Sequence, residues 1–168
     1  LISLLPQRDE TLFSGTLREL LSLASFDNDA AVGAIDSVMD RLGLTRLAGR
    51  TLNALSGGEH QRALIALVML QNTPVILLDE PLRNLDLRYR AALLDWLRQR
   101  AGEGALIIVA LHELEWLPRF CDSVCLLYHD KPLCGSLNEV YSRNNLERLM
   151  QCSFVELTVQ DRTILLPQ

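Results

Sequence analysis

Leu55-Ser56-Gly57-Gly58-Glu59 and, sixteen residues further on, Val75-Ile76-Leu77-Leu78-Asp79-Glu80-Pro81 are the two stretches on which the reading of this 168-residue chain turns. Ser56 and Glu59 stand in the S-x-x-E relation of a capping box. Ala63, Leu64, Leu67 and Leu70 follow at helical spacing, so the pattern predicts a helix opening at Ser56. Two glycines in its first turn weaken such a helix by roughly 1 kcal/mol each relative to alanine. Bare backbone at that end suits an anion, because the first amides have no intrahelical acceptor and the helix dipole is positive there. Capping boxes also open ordinary helices, so the neighbouring stretch decides between the two readings.

Val75 to Leu78 is short, apolar on both faces, partly β-branched and preceded by Pro74, which predicts a buried strand of a parallel sheet. Asp79 and Glu80 follow at its carboxyl end, where open α/β sheets place their ligands. A carboxylate there suits a magnesium ion, and a second suits a water that attacks a phosphate. A solvated acidic strand end is the plain alternative for an isolated Asp-Glu pair.

Taken together, these residues resemble the nucleotide-binding subunit of an ABC transporter. Leu55–Glu59 resembles the signature, and Val75–Pro81 resembles Walker B with its catalytic glutamate. Leu4-Leu5-Pro6-Gln7 is similar to the Q-loop, Asn84-Leu85-Asp86 to the D-loop, and His112 in Ala110-Leu111-His112-Glu113-Leu114 to the switch histidine. The five motifs stand in the family's order. The resemblance implies an α/β fold, a P-loop NTPase (RecA-like) core with a parallel sheet plus an α-helical subdomain. It implies catalytic roles for Glu80, His112 and Gln7, nucleotide contacts from Ser56, Gly57, Gly58, Glu59 and Asp86, and magnesium held by Asp79 and Gln7, with ATP as the cofactor. Departures are mild: Glu59 where glutamine is commoner, Leu82-Arg83 after the Walker B proline, and Leu111 and Glu113 flanking the histidine.

Nothing in the chain matches G-x-x-x-x-G-K-[ST], the loop that cradles phosphates in P-loop enzymes, and Lys131 is its only lysine. Since that loop precedes the Q-loop in the family, the chain is expected to be a carboxyl-terminal portion with the amino-terminal part of the core missing. Alone it is expected to be inactive. The domains implied are residues 1–10, the Q-loop region; 11–54, the helical subdomain; 55–150, the core; and 151–168, a terminal hairpin.

Composition agrees with a globular domain: 49% of residues are apolar and the net charge is −5. That mild acidity, with scattered arginines, argues against a nucleic-acid surface. No apolar run approaches the roughly 20 residues of a membrane helix. Cys121, Cys125, Cys134 and Cys152 lack zinc-site spacing and read as small buried hydrophobes in strands, unbridged. Trp96 and Trp116 read as packing residues.

Helices are expected over residues 16–23 and 29–42, the second closed by Gly43, then from Asp86 to about Ala101, and over 144–150. Strands are expected over Ala105–Leu111, Ser123–Tyr128, near Pro132–Gly135, and as a hairpin of Phe154–Val159 with Thr163–Leu166. Ser136 and Glu139 repeat the capping-box spacing. Phe13, Leu17, Leu20 and Leu21 suit internal packing or a partner's surface, with packing the commoner use.

The resemblance further implies a head-to-tail dimer with a second ATP-binding subunit, transmembrane permease partners, no nucleic acid, and a peripheral place on the cytoplasmic face of the inner membrane. Gly135, Glu139-Val140 and Asn145-Leu146-Glu147 resemble importers of the iron-siderophore, haem or cobalamin type; the segment from Gln7 to Leu17 has an exporter flavour, and an importer that energises a membrane permease is the favoured expectation. The alternatives are a non-transport ABC ATPase and a non-catalytic ABC-like interaction module. Only 48 residues separate Gln7 from Leu55, which argues against the DNA-repair type with its long insertions.

Overall fold

The run read as a buried strand is the middle of a parallel sheet. In the computed structural model, which describes residues 1–5, 13–24, 31–128, 131–159 and 162–168, β1 (Ile2–Leu5), β2 (Val75–Asp79) and β3 (Leu106–Ala110) lie in the order β1-β2-β3. The register sets Ile2 beside Val75 and Val75 beside Leu106, then Leu4 beside Leu77 and Leu77 beside Ile108. The chain divides into two compact units, Leu1–Leu111 and His112–Gln168.

In the first unit, α1 (Leu17–Ala24), α2 (Ala31–Arg41) and α3 (Gly57–Gln71) pack on one another, α3 packs on β1, and α4 (Leu87–Gly102) packs on β3. Leu5, Ile76 and Leu78 are buried on one face of the sheet. The opposite face differs from the sequence expectation: Val75 and Leu77 are only half-buried, and Ile2, Leu4, Leu106 and Ile108 are exposed. A parallel sheet is ordinarily covered on both sides; among the described residues this one is covered on one.

Leu17, Leu20 and Leu21 are buried, so internal packing claims three of the four apolar residues of that stripe; Phe13 is half-buried. Gly43, at φ 63°, ends α2 as its position suggested, and Asn72 closes α3 in the left-handed region at φ 46°. Where β1 meets β2, the buried Thr73 hydroxyl accepts the Ser3 amide at 3.0 Å and lies 2.8 Å from both the Ser3 hydroxyl and the Val75 carbonyl. That buried amide, Ser3 N–H, is therefore satisfied. Trp96, on α4, is buried as expected.

In the second unit, a short helix α5 (Leu117–Phe120) precedes the antiparallel pair β4 (Ser123–Leu127) and β5 (Pro132–Ser136). Then come α6 (Leu137–Val140), α7 (Arg143–Met150) and the terminal hairpin of β6 (Phe154–Val159) with β7 (Arg162–Pro167). The Ser136–Glu139 capping box is formed, and the Ser136 hydroxyl and amide hold the Glu139 carboxyl below the ordinary carboxylate range. Tyr141 is buried, which pushes its phenol upward, and its oxygen accepts the Leu165 amide at 3.1 Å. Trp116 is half-buried.

The cysteines correct the sequence reading. Cys125 and Cys134 are exposed and joined in a disulfide across β4 and β5; Cys121 is half-buried and Cys152 exposed. The physical reason is the strand period: with Val124 and Leu126 turned inward, Cys125 must face outward.

Candidate functional site

The helix start at Ser56 forms as its capping box demands. The Ser56 hydroxyl accepts the Glu59 amide at 3.4 Å, and the Glu59 carboxylate accepts the Ser56 amide at 2.8 Å. The Ser56 amide foremost, and then the Ser56 hydroxyl, hold the Glu59 carboxyl below its usual range. Glu59 is thus engaged in closing the helix. Ser56 and Gly57 are exposed and Gly58 half-buried, so the first-turn amides open toward solvent rather than into the sheet.

The carboxylates sit at the other component of the site. Asp79 is the last residue of β2, beside Ala110 of β3, and its side chain is exposed. Glu80 follows with φ at 47°, a left-handed conformation uncommon for a residue with a side chain. It is pinned by its amide, which donates to the Ala110 carbonyl at 3.0 Å, and by its carbonyl, which accepts the Arg83 amide at 3.1 Å. Such strain is a mark of functional positions. The Glu80 side chain is 17% exposed and stands 3.8 Å from Nη1 of Arg83, one of the residues that depart from the family pattern.

The turn from Glu80 to Asp86 is docked on the start of α3. The Pro81 carbonyl accepts Nε2 of Gln61 at 3.3 Å. Asn84, at φ 58°, brings its carbonyl so close to Gly58 that an added Cβ there would lie 2.8 Å from the oxygen. At Gly57 the nearest atom to such a Cβ is Nδ2 of Asn84, at an ordinary 3.8 Å. The second glycine therefore has an intrachain reason that the anion argument did not include: close backbone approach. Asp86, exposed, opens α4 through its carbonyl, which accepts the amides of Tyr89 and Arg90.

Arg62 fixes this assembly from behind. Its Nη1 donates to the Leu42 carbonyl at 2.7 Å, its Nε to the Gly58 carbonyl at 3.3 Å, and its guanidinium lies 4.2 Å from the centre of the Tyr89 ring. One side chain thereby joins the end of α2, the start of α3 and the first turn of α4. Gln61 and Arg62 were not singled out in the sequence, and Asn84 was read only as part of the D-loop motif; the signals available were the helical phase of 61 and 62 and the tolerance of Asn for the left-handed region.

Gly57 and Gly58 are thus brought against Asn84, in the turn that begins at Asp79 and Glu80. His112 lies two residues beyond β3, exposed, and belongs to the second unit. The Gln7 expectation falls outside the described residues. Among the described residues no three His, Cys, Asp or Glu side chains converge as a metal site. A single exposed carboxylate such as Asp79 is the donor set that magnesium uses when phosphate and water supply the rest.

The ABC transporter family model matches residues 1–83. The hemin import ATP-binding protein HmuV of Bradyrhizobium diazoefficiens is 32% identical over 99% of this chain and 66% of its own length. The chain belongs to the ABC transporter family. The cobalamin import ATP-binding protein BtuD of Halobacterium salinarum is likewise 32% identical, over 75% of this chain and 33% of its own length. The chain thus spans between one third and about two thirds of these ABC relatives. Among solved ABC structures, cbiO1 from Clostridium perfringens, part of the ABC transporter complex cbiONQ, superposes with a TM-score of 0.65 at 27% identity, covering 88% of this chain and 61% of that one. The ABC fold, a P-loop NTPase α/β core, accounts for the parallel sheet and for the helices packed on it.

Proposed function

We propose that this chain supplies the signature, Walker B and D-loop portion of an ATP-hydrolysing subunit that energises an importing permease. The observation that carries the reading is the docking of Gly58 on the Asn84 carbonyl, which couples an open helix start to the turn that begins at the strained Glu80. ATP would supply the phosphoanhydride bond whose cleavage drives transport. Ser56 and the amides of Gly57 and Gly58 donate to phosphate oxygens held by a second subunit in a head-to-tail pair. Asp79 and Gln7 would hold magnesium. Glu80 polarises the attacking water, His112 contacts the terminal phosphate, and Asp86 links the two sites across the subunit interface.

Relatives named for the import of hemin, cobalamin and petrobactin support an importer. Among the described residues no helix is long and apolar enough to cross a membrane. In this reading the subunit sits on the cytoplasmic membrane face through its permease. Because no P-loop lysine is in the 168 residues, the chain by itself is expected to show no measurable ATPase activity and no micromolar affinity for ATP.

The experiment is Glu80→Gln in the subunit complete with its P-loop. ATP binding is retained and turnover falls by orders of magnitude; unchanged hydrolysis refutes the role given to Glu80. For the chain alone, calorimetry showing stoichiometric micromolar ATP binding would overturn the division of the pocket between polypeptides.

A further inference from the structure

Period-two alternation sorts the side chains of β4 and β5 onto two faces. Val124 and Leu126 are buried, while Ser123, Cys125 and Leu127 are exposed. Their partners across the ladder are Ser136, Cys134 and Pro132, all exposed. Cys125 and Cys134 are therefore directly opposed on the outer face and bonded there. α6 lies on the other face: Gly135 is the partner of the buried Val124, and a Cβ at Gly135 would come 3.0 Å from Cγ2 of Val140. Both bonded cysteines are exposed to water.

We infer that Cys125 and Cys134 form a reversible thiol–disulfide site that exchanges with low-molecular-weight thiols of the glutathione class. A thiolate of the small thiol attacks one protein sulfur; the S–S bond breaks, a mixed disulfide forms, and the other cysteine leaves as thiolate and takes a proton from water. A second small thiolate attacks the mixed disulfide, releases the remaining cysteine and departs as the small disulfide. The protein gains two electrons and two protons, and two small thiols become one disulfide. The reverse sequence, starting from the small disulfide, closes the bond again.

The consequence is local. A two-stranded ribbon is marginal by itself, and this one is held by α6 inside and by the covalent bond outside. Only nine positions separate the bonded cysteines, so the bond closes the ribbon and its turn alone. Reduction leaves the ladder hydrogen bonds and the inner face, where α6 packs on β4 and β5, to hold the ribbon.

The test equilibrates the full 168-residue chain without denaturant in glutathione buffers from fully reduced to fully oxidised. Free thiols are then trapped with N-ethylmaleimide and each cysteine peptide is weighed. Cys125 and Cys134 should change together from both alkylated to neither, linked to each other, and revert when the ratio is reversed. Amide exchange of residues 123–136 should be about tenfold or more slower in the oxidised form. In Cys134→Ser, Cys125 should instead carry a single glutathione, whereas Cys152→Ser should leave the transition of the pair unchanged. The inference is overturned if Cys125 and Cys134 never pair in oxidised buffer, if they stay bonded in excess reduced glutathione, or if Cys125 pairs with Cys121 or Cys152. The wild-type titration decides the matter even where a variant fails to fold, and it is independent of the proposed ATPase role.

Discussion

Alanine at Gly58 and alanine at Gly57 should move stability in opposite directions, although the two positions are adjacent in the first turn of one helix. A Cβ at Gly58 would lie 2.8 Å from the Asn84 carbonyl oxygen, and relief to an ordinary contact requires a retreat of about 0.6 Å. That carbonyl has little freedom. Its residue is already left-handed at φ 58°, and Leu85 donates its amide to the Leu82 carbonyl at 3.2 Å within the same turn. Overpacking of this kind costs about 1–3 kcal/mol, against a gain of up to ~1 kcal/mol from replacing glycine in a helix. With the full helix gain set against it, Gly58→Ala should therefore lose up to about 2 kcal/mol. Gly57→Ala meets only Nδ2 of Asn84 at 3.8 Å, so it should be neutral or gain a few tenths of a kcal/mol. The assay is urea unfolding followed by Trp96 fluorescence in a Trp116→Phe background, so that the signal comes from the first unit. If Gly58→Ala proves as stable as Gly57→Ala, the steric account of Gly58 is wrong, and both glycines answer to a ligand alone.

Three further outcomes follow from hydrogen bonds described above. Thr73→Val leaves the buried Ser3 amide without its acceptor and should cost about 1–3 kcal/mol by the same unfolding assay; Thr73→Ser should recover most of it. Tyr141→Phe removes the acceptor of the Leu165 amide and should speed amide exchange at Leu165 by at least tenfold, the equivalent of about 1.4 kcal/mol. Glu59 binds its proton less readily folded than unfolded, so its contribution is complete above the ordinary carboxylate range and is lost as pH falls through the lowered folded value. The stability gap between wild type and Glu59→Gln, measured from pH 7 to pH 3, should accordingly change across that acid window and be flat above it.

The α3 start, the Walker B strand, the α4 helix after Asp86 and the terminal hairpin were legible because each rests on local chemistry: a capping box, an apolar run, turn residues. Asn84 and Glu80 show why the rest was not. A left-handed φ at a residue with a side chain is imposed by tertiary contacts, here the β3 carbonyl of Ala110 and the backbone of Gly58, and leaves no local signature. β1 escaped because Ile2–Leu5 becomes a strand only through pairing with β2, whose residues lie 73 positions away along the chain. Cys125 was misjudged because residue type was allowed to outweigh strand parity. The site was legible as a set of motifs; the contact that joins two of them, Gly58 on Asn84, was not.

The backbone at Glu80 carries a bias of its own. Glycine adopts that conformation freely, and any other residue there works against local preference. A population of this chain screened for heat endurance alone would drift toward glycine at position 80, gaining robustness while discarding the carboxyl group, so a glutamate kept in that posture reports selection for something other than sturdiness.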